Sequence, residues 1–353
     1  MPGRPAGGHS RTSAYAYAPL DRRRAPVRTG SYAGPLMLQA AGTAGNVTEL
    51  TGRVIPVKRA GVAFSVAAIA AASAYFLVPA DSAEPTAKPP VSAAQAAREE
   101  AKDRAEQERA EDDKVIAGLP AGLAAPEKKE LAQRIVASAH QSTLNWRTLY
   151  GSIEDLEDGR GYTAGVAGFC TGTHDLLALV EHYTETHPDN GLARYLPALR
   201  EVDGTDSHEG LDPGFTAAWK AEAKLPAFRR AQDEHRDRVS FDPAVRLAKL
   251  DGLGTLGQFV YYDALIFHGP DAGPEGFYGL RERALRGADT PAEGGSEKAY
   301  LDAFLDIRRT AMATEHTDTS RVDTAQRRFL NEGNLRLETP LEWAVYGDTY
   351  KVP

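Results

Sequence analysis

The chain has 353 residues, 42% hydrophobic and 25% charged, an ordinary globular balance with room for one large domain and extra segments. Its single cysteine, Cys170, excludes an intramolecular disulfide and a cysteine-based zinc site. Charge is unevenly spread: residues 1–120 carry 15 Lys+Arg against 12 Asp+Glu, and residues 121–353 carry 26 against 37, which disfavours nucleic acid and suits a cationic polymer.

Residues 1–57 are rich in Gly, Pro and Ser, include Arg22–Arg24, and show little hydrophobic periodicity. They are expected to form a disordered extension. Residues 58–83 have the layout of a signal peptide or a membrane anchor. Lys58 and Arg59 precede the uncharged run GVAFSVAAIAAASAYFLVPA, and small residues follow it. The run is long enough to span a bilayer, but its alanine content favours a cleaved secretory signal. On either reading the remainder is expected outside the cytoplasm. Residues 84–121 form an Ala/Glu/Pro-rich linker. Within it Ser92–Lys114 is a helix former whose only apolar residue is alanine, which predicts a solvated spacer.

Residues 122–353 are expected to be one domain. Pro126, followed by Glu127 and Glu130, predicts a helix start, and Leu131, Ile135, Val136 and Ala139 give it an apolar face. Helical spacing recurs over Asp175–Glu185, Pro243–Tyr262 and Glu297–Met312. Short β structure is predicted around Tyr162–Phe169. The class is α+β, mainly α. Asp263 follows two tyrosines in an apolar helix, so it needs a buried partner, and arginine is the natural one. His182 and His187 are badly spaced for one helix face, so no metal site and no cofactor are expected.

The chemistry concentrates in Tyr150–Asp175, YGSIEDLEDGRGYTAGVAGFCTGTHD. Asp158-Gly159-Arg160-Gly161 reads as a turn with a carboxylate and a guanidinium on its rim. Thr163 follows, a hydroxyl able to orient water. A carboxylate so placed is what hydrolysis requires of a general base. Cys170 lies in the apolar run GVAGFC and reads as a small buried hydrophobe.

This stretch resembles the active-site region of the family 46 chitosanases, glycoside hydrolases that cut glucosamine polymers. Tyr150, Asp158, Arg160, Gly161, Thr163, Gly168 and Asp175 match its pattern. So do YTETHPDNGLARYLPALREV, LDPGFTAAWKAEAK, DRVSFDPAVRLAKLDGLGTLGQFVYYDA, TSRVDTAQRRFLNEGN and VYGDTY, from about Gly122 to the C-terminus. The resemblance implies a two-lobed, lysozyme-like architecture with a substrate cleft between lobes. It implies endo-acting, inverting hydrolysis of β-1,4 bonds between glucosamine units, with Asp158 as base and Thr163 positioning the water. Arg160, Thr173, Asp175 and His268 take sugar-contacting positions, and Arg308, Asp263 and Arg321 form an Arg–Asp–Arg network beside the acid. Glu315 and Asp318 fall in a segment shorter than in relatives.

One position departs from the pattern. In ASAHQSTLNW, His140 stands where the family has its general-acid glutamate. Glu157 replaces a usual glycine, and Ser152 a common tyrosine. The expectation is an exported, monomeric chitosanase whose activity the histidine lowers. Two alternatives are a relative that binds chitosan or cell-wall polymer without turnover, and an enzyme for another amino-sugar polymer.

Overall fold

The computed structural model describes residues 93–314 and 317–353. The expectations for residues 1–57, for the apolar run 61–80 and for Glu315 fall outside the described residues. Among the described residues no helix is long and apolar enough to cross a membrane.

Helix α1 (Ala93–Ala117) is the expected polar helix. Its residues from Arg98 to Ala110 are exposed, as a helix without an apolar stripe should be. Its C-terminal end is tied to the domain. Arg246 pairs with Asp113 and with Asp112 (3.2 Å), and donates to the Arg109 carbonyl (3.2 Å). Helix α2 (Pro126–Gln141) starts with proline in its first turn, where the missing N–H costs nothing. Leu131, Ala132, Ile135, Val136 and Ala139 form its buried stripe. It ends at Ser142, whose φ of 48° is left-handed.

Strands β1 (Ile153–Asp155), β2 (Tyr162–Ala164) and β3 (Phe169–Cys170) form an antiparallel sheet in the order β1-β2-β3. Glu154 faces Thr163, and Thr163 faces Cys170. The β structure expected around Tyr162–Phe169 is thus two strands. Gly165 (φ 75°) and Gly168 (φ 69°) supply the left-handed turn between them.

Helices α3 (Asp175–Thr186), α4 (Leu196–Val202), α5 (Phe215–Glu222) and α6 (Pro226–Arg236) pack with the sheet around Tyr162, Phe169, Leu176, Phe215, Trp219 and Phe228. A π-helical turn (Asp237–Phe241) joins α6 to α7 (Asp242–Leu250). The chain then enters a second core. This core contains α2, α7, α8 (Thr255–His268), α9 (Phe277–Gly287), α10 (Glu297–Thr314), α11 (Arg327–Asn331) and the hairpin β4 (Leu341–Val345)–β5 (Asp348–Val352). A second π turn, Arg321–Gln326, leads into α11.

The continuous helix expected over Pro243–Tyr262 is two helices. Gly252 takes φ 77°, and Asp251 is held by Arg281 (2.8 Å) and the Tyr261 hydroxyl (2.7 Å), so the chain reverses there. Helix α8 is buried on all sides from Leu256 to Leu265. Each large apolar side chain it removes from water contributes about 1.5–3 kcal/mol, and the same burial surrounds Asp263.

Two cores therefore sit in one domain, in keeping with the expected α+β, mainly helical, lysozyme-like class. Helix α2 touches both: Ala137 faces the first core, while Ile135 and Val136 face the second. His140 lies in its last turn.

Candidate active site

The loop between β1 and β2 carries Asp158 and Arg160. Three of its residues are left-handed: Glu157 (φ 54°), Gly159 (φ 84°) and Gly161 (φ 66°). Gly161 has a second reason to be glycine. A Cβ there would lie 3.2 Å from both the Thr205 carbonyl oxygen and the Asp206 Cα. The loop foot is thereby fixed against residues 205–206.

Asp158 Oδ1 accepts the Arg160 amide (3.1 Å), and Oδ2 accepts Arg160 Nε (3.0 Å) and Nη2 (2.7 Å). Burial pushes the Asp158 carboxyl up. The Arg160 guanidinium and nearby backbone amides outweigh it and hold the group below its ordinary value. Asp158 is consequently ionised across the neutral and mildly acidic range, with its side chain 35% exposed to incoming water.

Thr163 lies on β2, one pleat along from the loop. Its hydroxyl is 3.3 Å from Cys170 Sγ, which donates to the Gly168 carbonyl (3.1 Å). Cys170 is buried, as its apolar setting predicted, and burial pushes its thiol up. Asp175 is the first residue of α3. It accepts the Cys170 amide (2.8 Å) and the Thr173 hydroxyl (2.7 Å). Burial raises its carboxyl to about 6 despite those donors. Thr173 itself is exposed.

His140 approaches this group near Gly168. A Cβ on Gly168 would lie 3.4 Å from Thr163 Cγ2 and 3.6 Å from His140 Nδ1 and Cε1. The structure thus brings His140 and Thr163 close to one point beside Gly168. Burial, then the charge of Arg321, lowers the His140 imidazole to about 3; Asp263 opposes this and Arg160 adds to it. The ring is therefore neutral at ordinary pH.

Behind His140 lies the arginine network. Asp263 is paired with Arg308 (2.8 Å) and lies 3.8 Å from Arg321 Nε. Gln326 Nε2 donates to Asp263 Oδ2 (2.6 Å), and Gln326 Oε1 accepts Arg308 Nη1 (2.9 Å). Burial raises the Asp263 carboxyl, but Arg321 and Arg308 win and hold it below its ordinary value. Burial lowers Arg308 to about 10. Arg321 is 3% exposed, stacks over the Phe267 ring at 4.8 Å, and has Nε and Nη1 without hydrogen-bond partners.

His268 belongs to the same network. Its Nε2 accepts Arg308 Nε (3.2 Å), so that nitrogen is unprotonated. Burial, then Arg308 and Arg321, lowers the ring to about 3. Among the described residues no cluster of His, Cys, Asp or Glu is arranged to hold a metal ion.

Sequence reasoning missed several supports. Gln326 closes the buried network, and nothing in TAQRRF marks it. Gln141 donates to Glu154 (2.8 Å), tying the end of α2 to β1. The His208 ring stacks on Tyr162 (centroids 3.9 Å apart, 7° interplanar), and its Nε2 lies 3.2 Å from Asp155, which braces the hairpin. Tyr150 was singled out, but its role was not. Its hydroxyl donates to Asp233 (2.6 Å), and its carbonyl accepts from Trp219 (3.0 Å) and Gln232 (3.1 Å).

A turn-borne, ionised and partly exposed carboxylate suits one task of glycosidic cleavage, activating water; the other task is protonating the leaving oxygen. That division of labour, on this fold, defines a glycoside hydrolase. The description "Glycosyl hydrolase family 46" matches residues 134–341, and the chain belongs to that family. A chitosanase of Streptomyces sp. (strain N174) is 56% identical over 234 residues, 66% of this chain and 84% of that protein. A chitosanase solved in co-crystals with its substrate superposes with a TM-score of 0.65 at 50% identity, over 67% of this chain and all of that one. A glutamate-to-alanine variant of a Bacillus subtilis chitosanase, solved with 6 glucosamine units, superposes at 0.60 with 34% identity, over 65% of this chain and 99% of that one.

Proposed function

We propose that the chain is an exported, endo-acting chitosanase. It hydrolyses β-1,4 bonds between glucosamine units with inversion, and His140 in place of a carboxylic acid lowers its rate. Asp158 is the base, Thr163 positions the water, and Arg160, Thr173, Asp175 and His268 line the sugar path. The observation that carries this reading is the closeness of Thr163 and His140 to one point beside Gly168, which supports a shared site. Asp158 is ionised and partly exposed, as a base must be. The relatives are chitosanases, and the acidic domain suits a polymer of protonated amines.

The neutrality of His140 supports a second reading, a chitosan-binding relative without turnover. An imidazole held near 3 has no proton to give at pH 5–8. The two readings part on one experiment. Full-length protein is incubated with glucosamine oligomers, and the anomeric form of fresh reducing ends is followed by NMR. The enzyme reading expects slow release of the inverted anomer, abolished by Asp158→Asn with the fold intact. Binding without product release supports the second reading. Activity retained in Asp158→Asn sinks the assignment of the base.

A further inference from the structure

The hairpin β4–β5 turns on two residues, Tyr346 and Gly347, and both are left-handed (φ 54° and 86°). Such a turn favours asparagine or glycine at its first position. A tyrosine there carries a conformational cost and persists only where its surroundings hold it. Its hydroxyl donates to the Ala139 carbonyl (3.1 Å), one residue before His140. Ala139 is buried and lies among the last four residues of α2, whose carbonyls have no partner within the helix. The amides that follow it, of Ser142 and Thr143, fold back to the Ala137 carbonyl instead. Tyr346 therefore supplies, from the far end of the chain, a cap for the turn that carries His140.

Two more bonds anchor the hairpin to the same surroundings. Trp343 Nε1 donates to Ser138 Oγ (2.9 Å), also in the C-terminal part of α2. The Tyr346 amide donates to Ser320 Oγ (2.9 Å), directly before the π turn that begins with Arg321. The hairpin tip thus joins the end of α2 to the segment that brings Arg321.

We infer that Tyr346 is a positioning residue for the acid position: its hydroxyl holds the last turn of α2 and so fixes where the side chain at position 140 projects. The inference rests on the reading of His140 as the proton-donor position. Tyr346 acts through the backbone at Ala139.

The test uses the full chain and Tyr346→Phe, which removes the hydroxyl and keeps the ring, in the wild-type and His140→Glu backgrounds. The first readout needs no turnover. In ¹H–¹³C spectra of the histidine rings, the His140 signal is assigned by its loss in His140→Gln. Tyr346→Phe should move that signal and leave the signal of His187, stacked on Tyr183 in the other core, where it was. The second readout is chitosan hydrolysis. In the His140→Glu background Tyr346→Phe should lower kcat roughly ten- to a hundredfold, as misplacement of a reacting group does, with KM within about twofold. Tm should fall by less than about 4 °C, as for the loss of one hydrogen bond. A moved His140 signal without turnover in either background contradicts the hydrolase reading and supports the positioning role. An unmoved His140 signal overturns the inference, and so does a loss confined to KM. Equal movement of the His140 and His187 signals with a large fall in Tm also overturns it, since the hydroxyl is then a contact for general stability.

Discussion

At His140 one environment governs both proton donation and stability. An imidazole ordinarily titrates near 6.5; burial and Arg321 bring His140 to about 3, and burial with Arg308 does the same to His268. Between those values the unfolded chain binds protons that the folded chain refuses. Stability from these rings is therefore whole above about 6.5 and is lost as pH falls toward 3. Tm measured from pH 7.5 to 3.5 should fall with acid, and His140→Gln should flatten that fall. A Tm independent of pH over this range would contradict the lowering of both rings. Glu157 is a separate case at the same scale. Its φ of 54° puts a Cβ-bearing residue in a left-handed turn, where the family resemblance places glycine. Glu157→Gly should raise unfolding stability by about 1 kcal/mol, read from urea midpoints. A loss of stability would mean that the Glu157 side chain makes a contact worth more than the strain.

At the scale of elements, helix α1 shows what a polar helix can and cannot do. It has no apolar face to bury, so the Arg246 cluster at Asp112 and Asp113 is its visible fastening. Exposed pairs of this kind contribute roughly 0–1 kcal/mol. Arg246→Ala should speed amide exchange over residues 105–114 while leaving the domain's Tm within about 2 °C. A large fall in Tm would show that α1 is part of the domain's core stability. The sequence made α1, α2, α3 and α10 legible, because composition or the spacing of apolar residues states the helix directly. It misjudged the run Pro243–Tyr262, since a single left-handed Gly252 and a buried Asp251–Arg281 pair break it and neither shows in hydrophobic periodicity. The β4–β5 hairpin was not read from the sequence; VYGDTY was noted only for its family resemblance. In the site, Asp158, Thr163 and Asp263 could be read from turn chemistry and from the need of a buried carboxylate for a partner. Gln326 could not, because a long-range hydrogen bond leaves no local pattern, and neither could the stacking of His208 on Tyr162.

At the scale of the whole molecule, charge decides which polymers the domain meets. With 26 basic against 37 acidic side chains in residues 121–353, it should bind glucosamine polymer more tightly than fully acetylated chitin. That binding should weaken between 50 and 500 mM salt as ions screen the attraction. Equal affinity for both polymers, unchanged by salt, would remove the electrostatic argument. The central proposal is narrower: that this glycoside hydrolase keeps Asp158 and Thr163 as the water-activating half of its site and carries His140 where the resemblance places the proton donor. Arg321 lies 3.8 Å from Asp263 and keeps Nε and Nη1 without hydrogen-bond partners. The most direct measurement is the initial rate of reducing-end release from chitosan by wild type and His140→Glu across pH 4–8. The account predicts a gain of about ten- to ten-thousand-fold in the variant, up to the roughly 10²–10⁴ contribution of a positioned acid. A wild type that is already fast, with a slower His140→Glu, would make histidine the working acid and contradict it.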